Sequence, residues 1–112
     1  MKSPELKIIC LDTLDDMKAK DILPLDIRGI SGFADWFIIA TASSSRNAKA
    51  ISNKIIETVK ENKLQVVGVE GQEDSEWVLI DCGDVVVNVM QKETREFYDL
   101  ESLWGETTLI SA

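Results

Sequence analysis

Two apolar strands joined by only two residues constrain this chain more than any other feature. Trp77-Val78-Leu79-Ile80-Asp81-Cys82 and Val85-Val86-Val87-Asn88-Val89-Met90 flank Gly83-Asp84, and a two-residue connection with glycine first is what a type II′ hairpin turn requires. The turn sets the register, with Cys82 opposite Val85, Ile80 opposite Val87 and Val78 opposite Val89. Successive side chains point to opposite sides of a sheet, so these six residues form one uniformly apolar face that belongs against helices. The alternate positions pair Asp81 with Val86, Leu79 with Asn88, and Trp77 with Met90. A face mixing Trp, Leu, Val and Met with Asp and Asn is too apolar for solvent alone and too polar for a comfortable core. It fits a partner surface, with aromatic and Met residues at the centre and polar groups at the rim. The alternative is that the first or third helix crosses this face and buries it.

The remaining segments arrange themselves around the hairpin. Ser3-Pro4-Glu5 reads as a helix start, Ser capping and Pro in the first turn, and Leu6, Ile9, Cys10, Leu14 and Met17 then recur as an apolar stripe. From Asp21 to Arg28, Leu23, Leu25 and Ile27 alternate with Pro24 and Asp26; proline cannot donate to a ladder, so this is an edge strand. Trp36-Phe37-Ile38-Ile39-Ala40 is a central-strand run, with Trp36 assigned to the core. A second helix follows, its Ala48, Ile51, Ile55 and Val59 on one stripe and its end at Asn62 or Lys63. Val66 to Val69 is a short strand and Glu93 to Leu100 a third helix, with Leu103-Trp104-Gly105 packed or presented nearby. The order predicts an α/β chain of the α+β type: a mixed five-stranded sheet with helices mainly on one face. Residues 1–105 form a single domain, and 106–112 a flexible tail.

Composition narrows the function. With 112 residues, 45% of them hydrophobic, the chain can build one core without disulfides or metal. A formal charge of −8 argues against extensive direct contact with nucleic acid and for a basic protein as partner. No histidine is present, which removes the commonest general base and metal ligand. Cys10 and Cys82 match no metal-binding spacing and sit in apolar stretches, as reduced core thiols do. There is no Arg-rich presequence and no apolar run long enough to span a bilayer, which places the chain in the cytoplasm and off the membrane. The segment from Glu70 to Glu76 carries four carboxylates and no base. Ser43-Ser44-Ser45 at a helix start caps the helix or, less simply, holds an anion. Ser31-Gly32-Phe33-Ala34-Asp35-Trp36-Phe37 resembles the Gly-Ser turn and Asp-x-Asp strand with which nucleotidyltransferases hold two cations about 3.5–4 Å apart. Phe37 stands where the second acid is needed, so no catalytic residue, metal site or cofactor is assigned.

Several of these segments, in this order, resemble the ribosomal silencing factor family, RsfS, also called Iojap. The resemblance rests on Ala34 to Arg46, Val69-Glu70-Gly71, Trp77 to Met90, and Phe97-Tyr98-Asp99-Leu100-Glu101-Ser102-Leu103-Trp104, and runs from about Leu6 to Gly105. It implies a nucleotidyltransferase-like fold without the catalytic acids, and a translation repressor that is not an enzyme. It also implies binding to the large ribosomal subunit through its protein fourteen, which blocks joining with the small subunit when nutrients are scarce. Some members self-associate, and the same patch would support a homodimer. The signature positions Glu70, Trp77, Asp81, Asp84, Met90, Tyr98, Leu103 and Trp104, with Leu79 on the same hairpin face, are the expected partner contacts.

Overall fold

The computed structural model describes residues 2–29, 32, 34–100 and 102. Its elements run α1 (Lys2–Asp16), β1 (Lys20–Asp26), β2 (Trp36–Ala42), α2 (Ser45–Glu61), β3 (Gly68–Glu70), β4 (Trp77–Asp81), β5 (Val85–Gln91) and α3 (Lys92–Tyr98). The five strands make one sheet in the order β1-β2-β5-β4-β3. Only β2 and β5 run parallel; the other neighbours are antiparallel. β1 is an edge strand, as Pro24 requires. The hairpin register is the expected one, from Trp77 opposite Met90 to Asp81 opposite Val86. Ser31, Phe33, Leu103, Trp104 and the tail 106–112 lie outside the described residues, as do the side chains of Ser3 and Pro4.

One side of the sheet carries both long helices. Leu6, Cys10 and Leu14 of α1 and Ala48, Ile51, Ile55 and Val59 of α2 pack against Ile38 and Ala40 of β2 and the hairpin's Val78, Ile80, Cys82, Val85, Val87 and Val89. The stripe of α2 is complete because Ser52, buried beside it, donates its hydroxyl to the Ala48 carbonyl at 2.7 Å and leaves no polar atom unpaired. Ser44 caps α2 by accepting from the Asn47 N–H at 3.0 Å, while the Ser43 N–H donates to Asn47 Oδ1 at 2.9 Å. The serine run therefore serves the helix start itself. Trp36, expected in the core, instead lies half-buried at the margin, with the Lys7 ammonium 3.9 Å above its ring and the Arg28 guanidinium 5.2 Å away. Arg28 also pairs with Asp26, and that hydrogen bond holds the Asp26 carboxyl below the usual carboxylate range.

Two glycines shape the hairpin's ends. At Gly83, φ is +87° and a Cβ would meet only Val67, at an ordinary 3.9 Å. At Gly71, φ is +84° and a Cβ would fall on the Trp77 carbonyl oxygen, so the backbone approach itself demands glycine. Gly83→Ala is expected to cost about 1–2 kcal/mol of folding stability, the penalty of a left-handed alanine. Gly71→Ala should cost more than about 2 kcal/mol because strain and collision combine. Urea titrations of both variants against wild type measure the difference.

Candidate partner interface

Among the described residues, the opposite side of the sheet has no long helix over it. Its rows follow from the register: Leu25, Phe37, Val86 and Asp81 lie across one line, and Leu23, Ile39, Asn88, Leu79 and Glu70 across the next. Thr41, Met90 and Trp77 make a third. Leu25, Ile27, Ala34, Phe37, Ile39, Val86 and Met90 are buried here, and Leu23, Trp77, Leu79 and Leu100 pack over them while keeping part of their surface in solvent.

Neither alternative describes this side fully, because among the described residues α3 covers one end and leaves the rest open. α3 has seven residues and buries none of them. It is held by Arg95, whose Nη1 donates to the Asp21 carbonyl at 2.7 Å and to Thr41 Oγ1 at 2.8 Å. Its second attachment is aromatic: the Tyr98 ring lies 5.0 Å from that of Trp77, tilted by 50°, and Phe97 meets Tyr98 edge-on at 5.0 Å. Phe97 is 81% exposed and Tyr98 54% exposed, so the ring series runs outward from the sheet into solvent. Beneath it, Trp77 Nε1 donates to Asn88 Oδ1 at 2.9 Å, and the Asn88 amide reaches the Ile38 carbonyl at 3.3 Å. This chain of bonds satisfies a fully buried asparagine in the middle of the sheet.

The expected contact residues separate accordingly. Trp77, Leu79 and Tyr98 come together on this side, with exposed Glu70 beside Leu79 across the β3–β4 pair. Met90 is a correction: it has no exposed surface, because it belongs to a central strand with β2 and β4 on either side, and it supports the face from beneath. Asp81 lies four residues along β4 from Trp77, about 13 Å at a strand's rise, and Asp84 lies beyond it in the turn. There Asp81 Oδ1 accepts from the Gly83 N–H at 2.8 Å, and the Asp84 carbonyl accepts from the Asp35 and Trp36 N–H groups at 2.8 and 3.0 Å. Both serve the turn, although the Asp84 side chain remains exposed. Leu103 and Trp104 lie outside the described residues. Phe97, the most exposed large apolar residue here, was not singled out from sequence. The signal was an aromatic beside Tyr98 in a short helix too polar to bury both.

The acidic loop is fixed rather than loose. Ser75, buried at φ +58°, donates its hydroxyl to the Gln72 carbonyl at 2.8 Å, and Gln91 Nε2 donates to the Ser75 carbonyl at 3.1 Å. Glu73 and Asp74 face Arg46 and Lys49 of α2 across a cleft of about 250 Å³, so α2 offsets part of the loop's charge. Two other clefts, of about 400 and 580 Å³, meet at Thr41 and Lys92. Lys20 and Lys92 are interleaved there with Glu76, Glu93 and Glu96, which is not the glycine-lined cradle a nucleotide phosphate needs. Phe37, two residues beyond Asp35, is buried in the core of this side.

Comparison with known proteins decides the family. The family model described as "Ribosomal silencing factor during starvation" matches residues 1–112. The chain belongs to the ribosomal silencing factor family. The ribosomal silencing factor RsfS of Chromobacterium violaceum is 42% identical over 105 residues, covering 94% of this chain and 86% of that one. RsfS of Bacillus subtilis is 42% identical over 109 residues, covering 97% and 92%. A crystal structure of a Chromobacterium violaceum protein superposes with a TM-score of 0.91 at 42% identity, covering 94% of this chain and 88% of that one. Membership carries ribosome-associated translation regulation.

Within this silencing-factor fold, Trp77 has both a ring and a donor to lose. Trp77→Phe keeps most of the ring and leaves the buried Asn88 oxygen without its indole partner. The expected cost is about 1–3 kcal/mol of folding stability, read from denaturant titration, and Tyr98→Phe, which removes no described hydrogen bond, should stay within about 0.5 kcal/mol.

Proposed function

We propose that this chain docks on the large ribosomal subunit through the Trp77, Leu79, Tyr98 and Phe97 face, that the contact is ribosomal protein fourteen, and that occupancy blocks joining with the small subunit. Translation then falls when nutrients are scarce. The observation that carries this reading is the ring series ending in Phe97 at 81% exposure on the sheet side opposite α1 and α2. An exposed aromatic cluster resting on a rigid sheet supplies large contact area at little cost in side-chain freedom, as binding anchors do. Exposed Glu93, Glu96 and Asp99 on or beside the same short helix, with Glu70 on β3, form an acidic rim suited to a basic protein rather than to RNA. On this reading the chain works in the cytoplasm without catalysis; in support, Phe37 stands two residues beyond Asp35, where a second acid would be needed.

Sucrose-gradient co-sedimentation with isolated subunits tests the proposal. The protein is expected to travel with large subunits and to lower the joined fraction without consuming nucleotide. Equal binding to small subunits, or unchanged joining at saturation, would overturn it. Phe97→Ala should leave stability within about 0.5 kcal/mol of wild type yet weaken binding roughly 30-fold, about 2 kcal/mol. Glu70→Gln should slow association and flatten its salt dependence more than Glu73→Gln, whose charge faces Arg46 and Lys49. Self-association through the same rings would show as competition between dimer and subunit binding.

A further inference from the structure

β1 departs from a regular strand at one place. Lys20 pairs with Thr41 and Leu23 with Ile39, so Asp21 and Ile22 together stand across from Ala40, and one extra residue is inserted in the edge strand. Asp21 has φ +49°, in the left-handed region. Among the described residues it is the one non-glycine with positive φ inside a strand, since Lys18, Lys63 and Asp99 follow helix ends and Ser75 lies in the acidic loop. Carbonyls of a regular antiparallel strand are aimed at a neighbouring strand or off the sheet edge. The Asp21 carbonyl instead meets α3: it accepts from Arg95 Nη1 at 2.7 Å, and the same nitrogen donates to Thr41 Oγ1 at 2.8 Å.

We propose that the Asp21 bulge, Thr41 and Arg95 form a lock that sets the orientation of α3 and so positions Tyr98 and Phe97 for docking, a purpose that rests on the docking face proposed above. Arg95 and Thr41 are positioning residues in this scheme, and neither has to touch the partner. The lock is needed because α3 buries no residue and shares with β1 and β2 an open cleft of about 580 Å³, lined by Asp21 and Thr41 on the sheet side and by Lys92, Arg95 and Glu96 on the helix side. Packing therefore does little to fix the helix. Two acceptors on one nitrogen of a planar guanidinium define its orientation, where a single bond would let it turn. Tyr98 stands three residues beyond Arg95, on the same side of the helix, and the Asp99 N–H donates to the Arg95 carbonyl at 2.8 Å, which ties the last turn to the same residue. Holding Arg95 thus holds Tyr98 at its 5.0 Å ring contact with Trp77. Rings set in place before a partner arrives cost less ordering on binding, so the lock raises affinity without adding a contact.

The test uses the full-length chain carrying Arg95→Gln, Thr41→Val, Thr41→Ser or a deletion of Asp21, which returns Ile22 alone to the position across from Ala40. The protein is read first without a partner, by nuclear Overhauser contacts between the Trp77 and Tyr98 rings, with amide exchange of α2 as the check that the fold is kept. Binding to isolated large ribosomal subunits is then measured by co-sedimentation. Arg95→Gln and the deletion are expected to lose the ring contacts, keep α2 protected and weaken binding roughly 10-fold. Thr41→Val, which removes one acceptor at nearly constant volume, should fall between, and Thr41→Ser, which keeps the acceptor, should return toward wild type. A general loss of stability would not give that rescue. Ring contacts intact in Arg95→Gln, or subunit affinity unchanged once the contacts are lost, would overturn the proposal, and the Arg95 and Thr41 variants decide it where the deletion folds poorly. If wild type itself fails to bind large subunits while the ring contacts respond as expected, the docking reading falls and the lock stands.

Discussion

The structure depends on β5 being covered on both sides. All six residues from Val85 to Met90 are buried, and the strand lies between parallel β2 and antiparallel β4 at the centre of the sheet. A strand buried on both faces needs two layers above and below it. α1 and α2 supply one layer in full. The other is assembled from shorter pieces: seven-residue α3, Leu100, and side chains of the flanking strands. Among the described residues, with two long helices on one side, there is no third long helix to lay over the other. The open apolar surface is thus a consequence of how this small fold divides its helices, and it lies where a partner can finish the second layer.

The polar residue inside β5 links that architecture to its exposed rings. Asn88 sits on the thinly covered side and has no exposed surface. Its oxygen must be satisfied locally, because a buried acceptor left alone costs more than a hydrogen bond returns. The donor is the indole of Trp77, whose orientation is thereby set, and Tyr98 rests on that indole. One buried amide therefore positions the ring on which α3 leans. Arg95, reaching the Asp21 carbonyl and Thr41, restrains the helix at its other side.

What the residues reveal in advance follows the range of the interactions involved. The hairpin register, the Pro24 edge and the α2 stripe depend on neighbours a few positions away, and each was legible. Membership of a face was legible for Trp77 and Met90 alike, but exposure was not. Their alternation is identical, and only the lateral order of strands leaves Trp77 half-open and Met90 sealed. Asp81 and Asp84 read as candidate contacts because they are signature positions of the family resemblance; their bonds to the turn and to β2 appear only once backbone atoms are placed. The attachment of α3 joins residues 54 and 74 positions apart, beyond any local pattern.

Electrostatics shows the same distinction between local composition and assembled surface. As a segment, Glu70 to Glu76 is acidic without relief, but folding brings Arg46 and Lys49 opposite Glu73 and Asp74. Charge that faces a nearby opposite charge contributes less to the field a partner meets than charge projecting alone. On the side that carries the rings, Glu70 on β3 and Glu93 and Glu96 on α3 are exposed acids. Attraction over a Debye length and burial at contact are then served by neighbouring residues on one side of the sheet. On the proposed docking, charge would bring a basic surface toward the side where Phe97 and Tyr98 stand clear of the core, and the rings would supply the area that holds it.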